Sequence, residues 1–268
     1  EVGTKLNQPD HKVKVVLMIP DPGEFTTDFG DVDGDGISEN FNASEVGAET
    51  ALENRQKAVS WYLDEVNQRW EEENYSNLDL VGMYWLHEQI STSETGPDML
   101  QYVSDVVHEE GMELFWIPHF LAYRSHMWKD VGVDAAAFQP NYFFQEMNVD
   151  RIEDAANIAK RYGMGVEIEF DERMLTSDEF RQRYIDYLDG GVKHGYMQDV
   201  FKAYYQGNDA VYKSAVSNDS ETRVLYDWLY QFAKGTYEID NTAPEIDVTI
   251  NGKKLHDNSQ INSSDIFS

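Results

Sequence analysis

Two apolar segments of this chain run into carboxylates, Leu80-Val-Gly-Met-Tyr-Trp-Leu-His-Glu88 and Gly165-Val-Glu-Ile-Glu-Phe-Asp171. In an extended strand, successive side chains alternate between faces. That alternation puts Gly82, Tyr84, Leu86 and Glu88 together in the first segment. In the second, it separates the apolar Val166, Ile168 and Phe170 from Glu167, Glu169 and Asp171. Three carboxyl groups on an inward face are costly unless they are paired, hydrated or used. One chemistry that uses such groups is glycosidic bond cleavage, which needs one protonated and one ionised carboxyl. Glu88, Glu169 and Glu167 are therefore the expected catalytic candidates. The plainer reading is a solvated acidic edge on an acidic protein.

The residues around these tips suit a sugar. Trp85, Trp116, Tyr123, Trp128, Tyr142 and Phe143 fall at or just after strand ends, where flat rings can stack on pyranose faces. Taken singly, most aromatic residues serve the core, and only their clustering at the tips argues otherwise. His119, Gln139 and Asn141 alternate inward by the same count and offer hydrogen bonds to hydroxyls. The expected substrate-binding set is Tyr84, Trp85, Trp116, His119, Gln139, Asn141, Tyr142 and Asp171.

A second constellation is Asp31-Val-Asp-Gly-Asp-Gly-Ile-Ser-Glu-Asn-Phe-Asn42. Aspartates at positions one, three and five with glycine at six follow the calcium-loop pattern of the EF hand. Position twelve is Asn42 rather than the usual bidentate glutamate, and no helix is expected before the loop. The expectation is a stand-alone structural Ca²⁺ loop held by Asp31, Asp33, Asp35, Ile37, Glu39 and Asn42; an acidic turn without metal is the alternative.

The elements that must position these residues alternate along the chain. Strands are expected at Val13–Pro20, Leu80–Leu86, Glu113–Pro118, Ala136–Phe143, Gly165–Glu169 and Gly195–Tyr204. Helices are expected at Ala48–Asn74, Asp98–Glu110, Arg151–Tyr162, Ser177–Gly190 and Glu221–Ala233. Such alternation indicates βα units and a parallel sheet. No Gly-x-Gly-x-x-Gly follows an early strand, which argues against a dinucleotide fold. Gly190 to Gly195 reads as a glycine-rich turn after a helix. Residues 1–235 form the expected (β/α) barrel domain. Residues 236–268 change character and read as a linker, then a strand with an Asn-Gly turn that opens a β-sandwich module or forms a tail.

Composition narrows the partners. The 268 residues carry 21 basic and 50 acidic side chains, a net charge of −29, which disfavours nucleic acid and anionic membranes. With 41% hydrophobic and 13% aromatic residues the chain can fill a core. The absence of cysteine excludes disulfides and thiolate chemistry. No apolar run reaches the roughly 20 residues that span a bilayer, so membrane insertion is not expected. An extracellular or cell-surface bacterial setting is the expectation.

Several strings together resemble the bacterial domain-of-unknown-function 4855 family, a glycosidase-like TIM-barrel family. They are Val16-Leu-Met-Ile-Pro20 with Phe29-Gly30, Val81 to Glu88, Trp116-Ile-Pro118, Gln139-Pro-Asn-Tyr142 and Gly163 to Glu169. Members carry further strands ahead of the segment that opens here. The resemblance therefore implies an α/β, TIM (β/α)8-type barrel lacking its first two βα units in this chain, or supplied with them by another segment. On that count Leu80–Leu86 becomes strand four and Gly165–Glu169 strand seven. Glu88 then takes the role of acid/base and Glu169 that of nucleophile, with Glu167 as competitor. The expected function is a glycoside hydrolase acting by retention on a polysaccharide or glycan. The alternative is a non-catalytic carbohydrate-binding or cell-surface scaffold protein that keeps the barrel, with further modules as partners.

Overall fold

The computed structural model describes residues 2–5, 7–240, 249–250 and 253–254. By its contacts the chain divides into two units, Glu1–Tyr237 and Glu238–Ser268. In the first, six strands alternate with helices: β1 (Val13–Ile19), β2 (Leu78–Trp85), β3 (Glu113–Trp116), β4 (Ala135–Phe138), β5 (Gly165–Phe170) and β6 (Lys202–Gln206). Every pairing is parallel, and the strands lie side by side in chain order from β1 to β6. Short helices α1 (Val2–Lys5) and α2 (Ala43–Val46) precede the long α3 (Ala48–Glu73). Then follow α4 (Gly96–Glu109), α5 (Asp150–Tyr162), α6 (Arg173–Thr176), α7 (Asp178–His194), α8 (Ala210–Val216) and α9 (Ser220–Lys234).

The winding is that of an α/β barrel, but the described strands do not close one. Six strands form the sheet, and β1 and β6 are its edges. The effect is visible in the side chains. Leu17 and Ile19 turn into the core, whereas Val16 and Met18 on the opposite face of β1 are 41% and 52% exposed. A central strand has no such open face. All six residues of β5 are buried, with Val166, Ile168 and Phe170 packed into the core shared with the helices.

Element ends show where local chemistry overrides simple alternation. β4 stops at Phe138 rather than running to Phe143. Pro140 has no N–H to offer a ladder, and Asn141 adopts a left-handed φ of 52°, so the chain turns there. At the other end of the sheet, Gly195 does not open a strand. It caps α7 at φ 82°, and β6 begins only at Lys202. The Gly190-Gly191 pair lies inside α7 instead of ending it. A Cβ on Gly190 would come within 2.6 Å of Ile152, and one on Gly191 within 2.3 Å of the Phe232 ring. Close packing of α7 on its neighbours, rather than a turn, requires these glycines.

In the second unit, Thr249–Ile250 pairs antiparallel with Lys253–Lys254. The intervening Asn-Gly turn and the expected β-sandwich module lie outside the described residues. Among the described residues no helix is long and apolar enough to cross a membrane.

Candidate active site

β2 and β5 lie three strands apart and deliver their carboxylates to one cavity. Its volume is about 540 Å³, and its wall comprises Tyr84, Leu86, Glu88, Ile117, Gln139, Asn141, Phe144, Glu167, Glu169, Tyr204 and Tyr205. Most of these residues sit at or beyond the C-terminal halves of their strands, the end where α/β folds of this winding carry ligands, with Glu167 one layer deeper in β5. The alternation read from sequence appears in the walls: Tyr84, Leu86 and Glu88 from one segment, Glu167 and Glu169 from the other. Gly82 lies one layer deeper on the face of Tyr84, and a Cβ there would come within 2.6 Å of the Phe115 ring.

Glu169 is 2% exposed and held at both oxygens. The Tyr187 hydroxyl, from α7, donates to Oε2, and the Asn141 amide donates to Oε1 at 3.4 Å. Tyr187 in turn accepts the Tyr142 backbone N–H at 3.2 Å. Asn141 is itself fixed: its amide reaches Gln139 Oε1 at 3.0 Å, its Oδ1 accepts the Phe120 N–H at 2.9 Å, and Gln139 donates to the Ile117 carbonyl at 2.7 Å. Burial raises the Glu169 carboxyl most, the Tyr187 hydrogen bond opposes it, and the group settles at about 7. It is thus near half-ionised at neutral pH.

Glu167 is different in kind. It is 6% exposed, and its carboxyl has no hydrogen bond or ion pair with any described residue. Burial, then the charges of Glu169 and Glu88, push its carboxyl up to about 9. At neutral pH it stays protonated. Tyr84 is pushed well above the ordinary phenol range by burial and by Glu167 and Glu88, so its hydroxyl keeps its proton.

Glu88 stands at the exposed rim, and its carboxylate has no partner among the described residues. Its backbone is nevertheless pinned. The Glu88 carbonyl accepts the His119 N–H at 3.2 Å, and the His87 carbonyl accepts the Trp116 indole N–H at 2.8 Å. His87 pairs with Asp21 at 2.9 Å, and Asp21 with the buried Arg55 of α3 at 2.8 Å. Burial would raise the Asp21 carboxyl, but His87 and Arg55 together hold it at about 2. The Glu88 backbone is thus fixed while its carboxylate is left open to the cavity.

The other sequence-predicted residues are placed elsewhere. Trp85 and Trp116 are buried in the core and do not line the cavity. His119 Nδ1 accepts the Leu121 N–H, away from the cavity wall. The Tyr142 hydroxyl donates to Asp186 at 2.7 Å. Asp171 is engaged by the Arg173 side chain at 2.8 Å and the Arg173 N–H at 2.9 Å. Open aromatic faces come instead from Phe144, Tyr204 and Tyr205, the last two standing 39% and 50% exposed. Tyr205 lies beside Glu169 in the β5–β6 register and edge-on to Phe144 at 5.6 Å. Two tyrosines at a strand tip were a signal for this platform. Tyr187 had none, because its spacing from Tyr184 on α7 reads as core.

The aspartate loop is a separate feature. Phe29 and Gly30 exchange backbone hydrogen bonds with Glu39, which closes the loop, and Phe29 packs on Phe41 and Trp61. One oxygen each of Asp31, Asp33 and Asp35 lies within 4.8 Å of the others, all exposed. Asp31 accepts the N–H groups of Gly34, Asp35 and Gly36, and Asp35 that of Ile37. The buried Glu39 accepts the Val32 N–H at 3.1 Å. Lys57 sits 2.6 Å from Asp33. Asn42, expected at position twelve, instead caps α2 through the Ser44 N–H.

The class defined so far is a parallel α/β protein with an acidic, tyrosine-walled cavity at its strand tips. The chain belongs to the family described as Domain of unknown function (DUF4855), which it matches over residues 1–231. Among solved structures, it is similar to a candidate alpha-L-fucosidase from Bacteroides thetaiotaomicron VPI-5482, at 18% identity and a TM-score of 0.43. That similarity covers 68% of this chain and 62% of the other, less than two thirds of the latter's length. No curated protein matches significantly.

Proposed function

We propose that this protein is a glycoside hydrolase acting by retention on a glycan, with Glu169 as nucleophile and Glu88 as acid/base. One observation carries the proposal: the cavity that gathers Glu88, Glu167 and Glu169 beneath exposed aromatic faces. Glu88 protonates the glycosidic oxygen as the bond to the anomeric carbon breaks. Glu169 attacks that carbon through Oε1, which receives the long contact from the Asn141 amide, while Tyr187 holds Oε2. Water, deprotonated by Glu88, then releases the sugar and restores both groups. Glu167 competes poorly for the nucleophile's place because it stays protonated where Glu169 is substantially ionised. The strand order supports reading the sheet as consecutive units of a (β/α)8-type barrel. The charge and the lack of cysteine support an extracellular setting.

A glycan-panel assay with Glu88→Gln and Glu169→Gln tests the assignment. Both variants should fold normally and lose activity, and the first-formed product should keep the anomeric configuration by NMR. Activity surviving in both would sink the residue assignment. Binding without cleavage would move the reading to a non-catalytic carbohydrate-binding scaffold.

A structural Ca²⁺ in the aspartate loop is a second proposal. The hard oxygens of Asp31, Asp33 and Asp35 fit that ion. Asn42, committed to its helix cap, and Lys57, paired with Asp33, do not add to the set.

A further inference from the structure

We infer that the cavity takes an amino sugar with an unblocked amine, whose ammonium group pairs with Glu167. The inference rests on the hydrolase reading and narrows its substrate. Hydrolysis requires two carboxyls, and Glu88 and Glu169 fill those roles, which leaves Glu167 over. It is 94% buried by its 6% exposure, yet no described group donates to it, and its wall neighbours include no lysine, arginine or histidine. A carboxyl group without a protein partner at the wall of a solvent-accessible cavity is open to a group brought by a ligand.

The surroundings select the kind of cation. A metal ion held by all three glutamates would need their oxygens to converge. Among the described residues only Asp31, Asp33 and Asp35 approach within 4.8 Å in that way. An alkylammonium needs no such convergence, since its three N–H groups point apart. Same-face positions on a strand are about 7 Å apart, so a ring whose anomeric carbon meets Glu169 brings its own substituents within reach of Glu167. Uronic, sulfated or sialylated sugars would bring further negative charge into a cavity walled by three carboxyl groups. An N-acetyl group would bring a neutral amide, which leaves Glu167 protonated, whereas an ammonium stabilises its carboxylate. The net charge of −29 also draws a polycationic glycan from a distance. In the free protein Glu167 is held protonated, and the arriving ammonium would restore the carboxylate.

The test is calorimetry on the whole chain in the Glu169→Gln background, which blocks turnover. The probes are short oligomers of glucosamine and of galactosamine beside their N-acetylated counterparts. One amine form should bind roughly tenfold or more tightly than its acetylated form. Adding Glu167→Gln, with folding checked by circular dichroism, should shrink that preference to about threefold or less. In case the double variant does not fold, the same preference is measured with Glu169→Gln alone in about 1 M salt. That salt screens the protein's general field but not a buried pair. Equal or tighter binding of the acetylated forms, binding of neither, survival of the preference in a folded Glu167→Gln variant, or its disappearance in high salt would each overturn the inference. Wild-type hydrolysis is read separately. Amine-selective binding with no cleavage removes the hydrolase reading, whereas cleavage confined to acetylated or neutral glycans removes this inference alone.

Discussion

The cavity and the aspartate loop are both triads of carboxylates in one acidic chain, yet they behave oppositely. In the loop the groups are exposed, surrounded by backbone N–H donors, and Lys57 holds Asp33 below the usual carboxylate range. In the cavity, burial outweighs every hydrogen bond, and Glu167 and Glu169 are held far above that range. The contrast teaches that acidity here is set by solvent and donors rather than by residue type. Exposed, well-donated carboxylates are ready to hold a cation. Dry ones keep a proton that an exposed carboxylate would release.

The largest effect that can break this contrast is on turnover. Glu169→Gln keeps the shape but removes the charge of the proposed nucleophile, and should lower kcat/KM by about a thousandfold or more. A loss below tenfold would take Glu169 out of the chemistry. Next comes Tyr187→Phe. Its hydroxyl favours the ionised form of Glu169, so its removal raises a group already at about 7. The acid limb of the pH profile of kcat/KM should move upward by about one unit. A uniform fall in rate with an unmoved limb would leave Tyr187 only a packing role.

Stability supplies the smaller tests. Folding raises the Glu167 carboxyl from 4.5 to about 9, so the folded state binds the proton more tightly than the unfolded state. Stability must then fall as pH climbs from 4.5 toward 9. Glu167→Gln should therefore raise Tm more at pH 8.5 than at pH 5, by roughly 2–4 °C per kcal/mol; an equal shift at both would deny that linkage. Smallest is the loop: EDTA should lower Tm and Ca²⁺ restore it, by about 2–4 °C if the ion contributes about 1 kcal/mol. Identical melting curves would leave the loop as an acidic turn.

How much of this was legible beforehand depends on the range of the interaction. The strand pattern of period two placed Glu88, Tyr84, Glu167 and Glu169 on their faces, because a pleated backbone enforces it locally. The same rule set Trp85 on the face opposite Tyr84, so nearness to a strand tip was a poor guide to Trp85 and Trp116 as sugar platforms. Gly190-Gly191 reads as a turn until Phe232, more than forty residues on, is known to press against it. Tyr187 belongs to the same class. A partner from α7 for a carboxylate on β5 is a tertiary fact, and no spacing announces it.

The order of the strands also bears on how the molecule is made. Each strand pairs with the one synthesised just before it, so the sheet can grow from β1 as the chain emerges. Glu88 arrives early and waits at a solvated rim. Glu167 and Glu169 emerge only after β1 to β4 can receive them, and Tyr187 follows eighteen residues after Glu169. The burial of these two carboxyl groups is thus deferred until a scaffold exists to hold them.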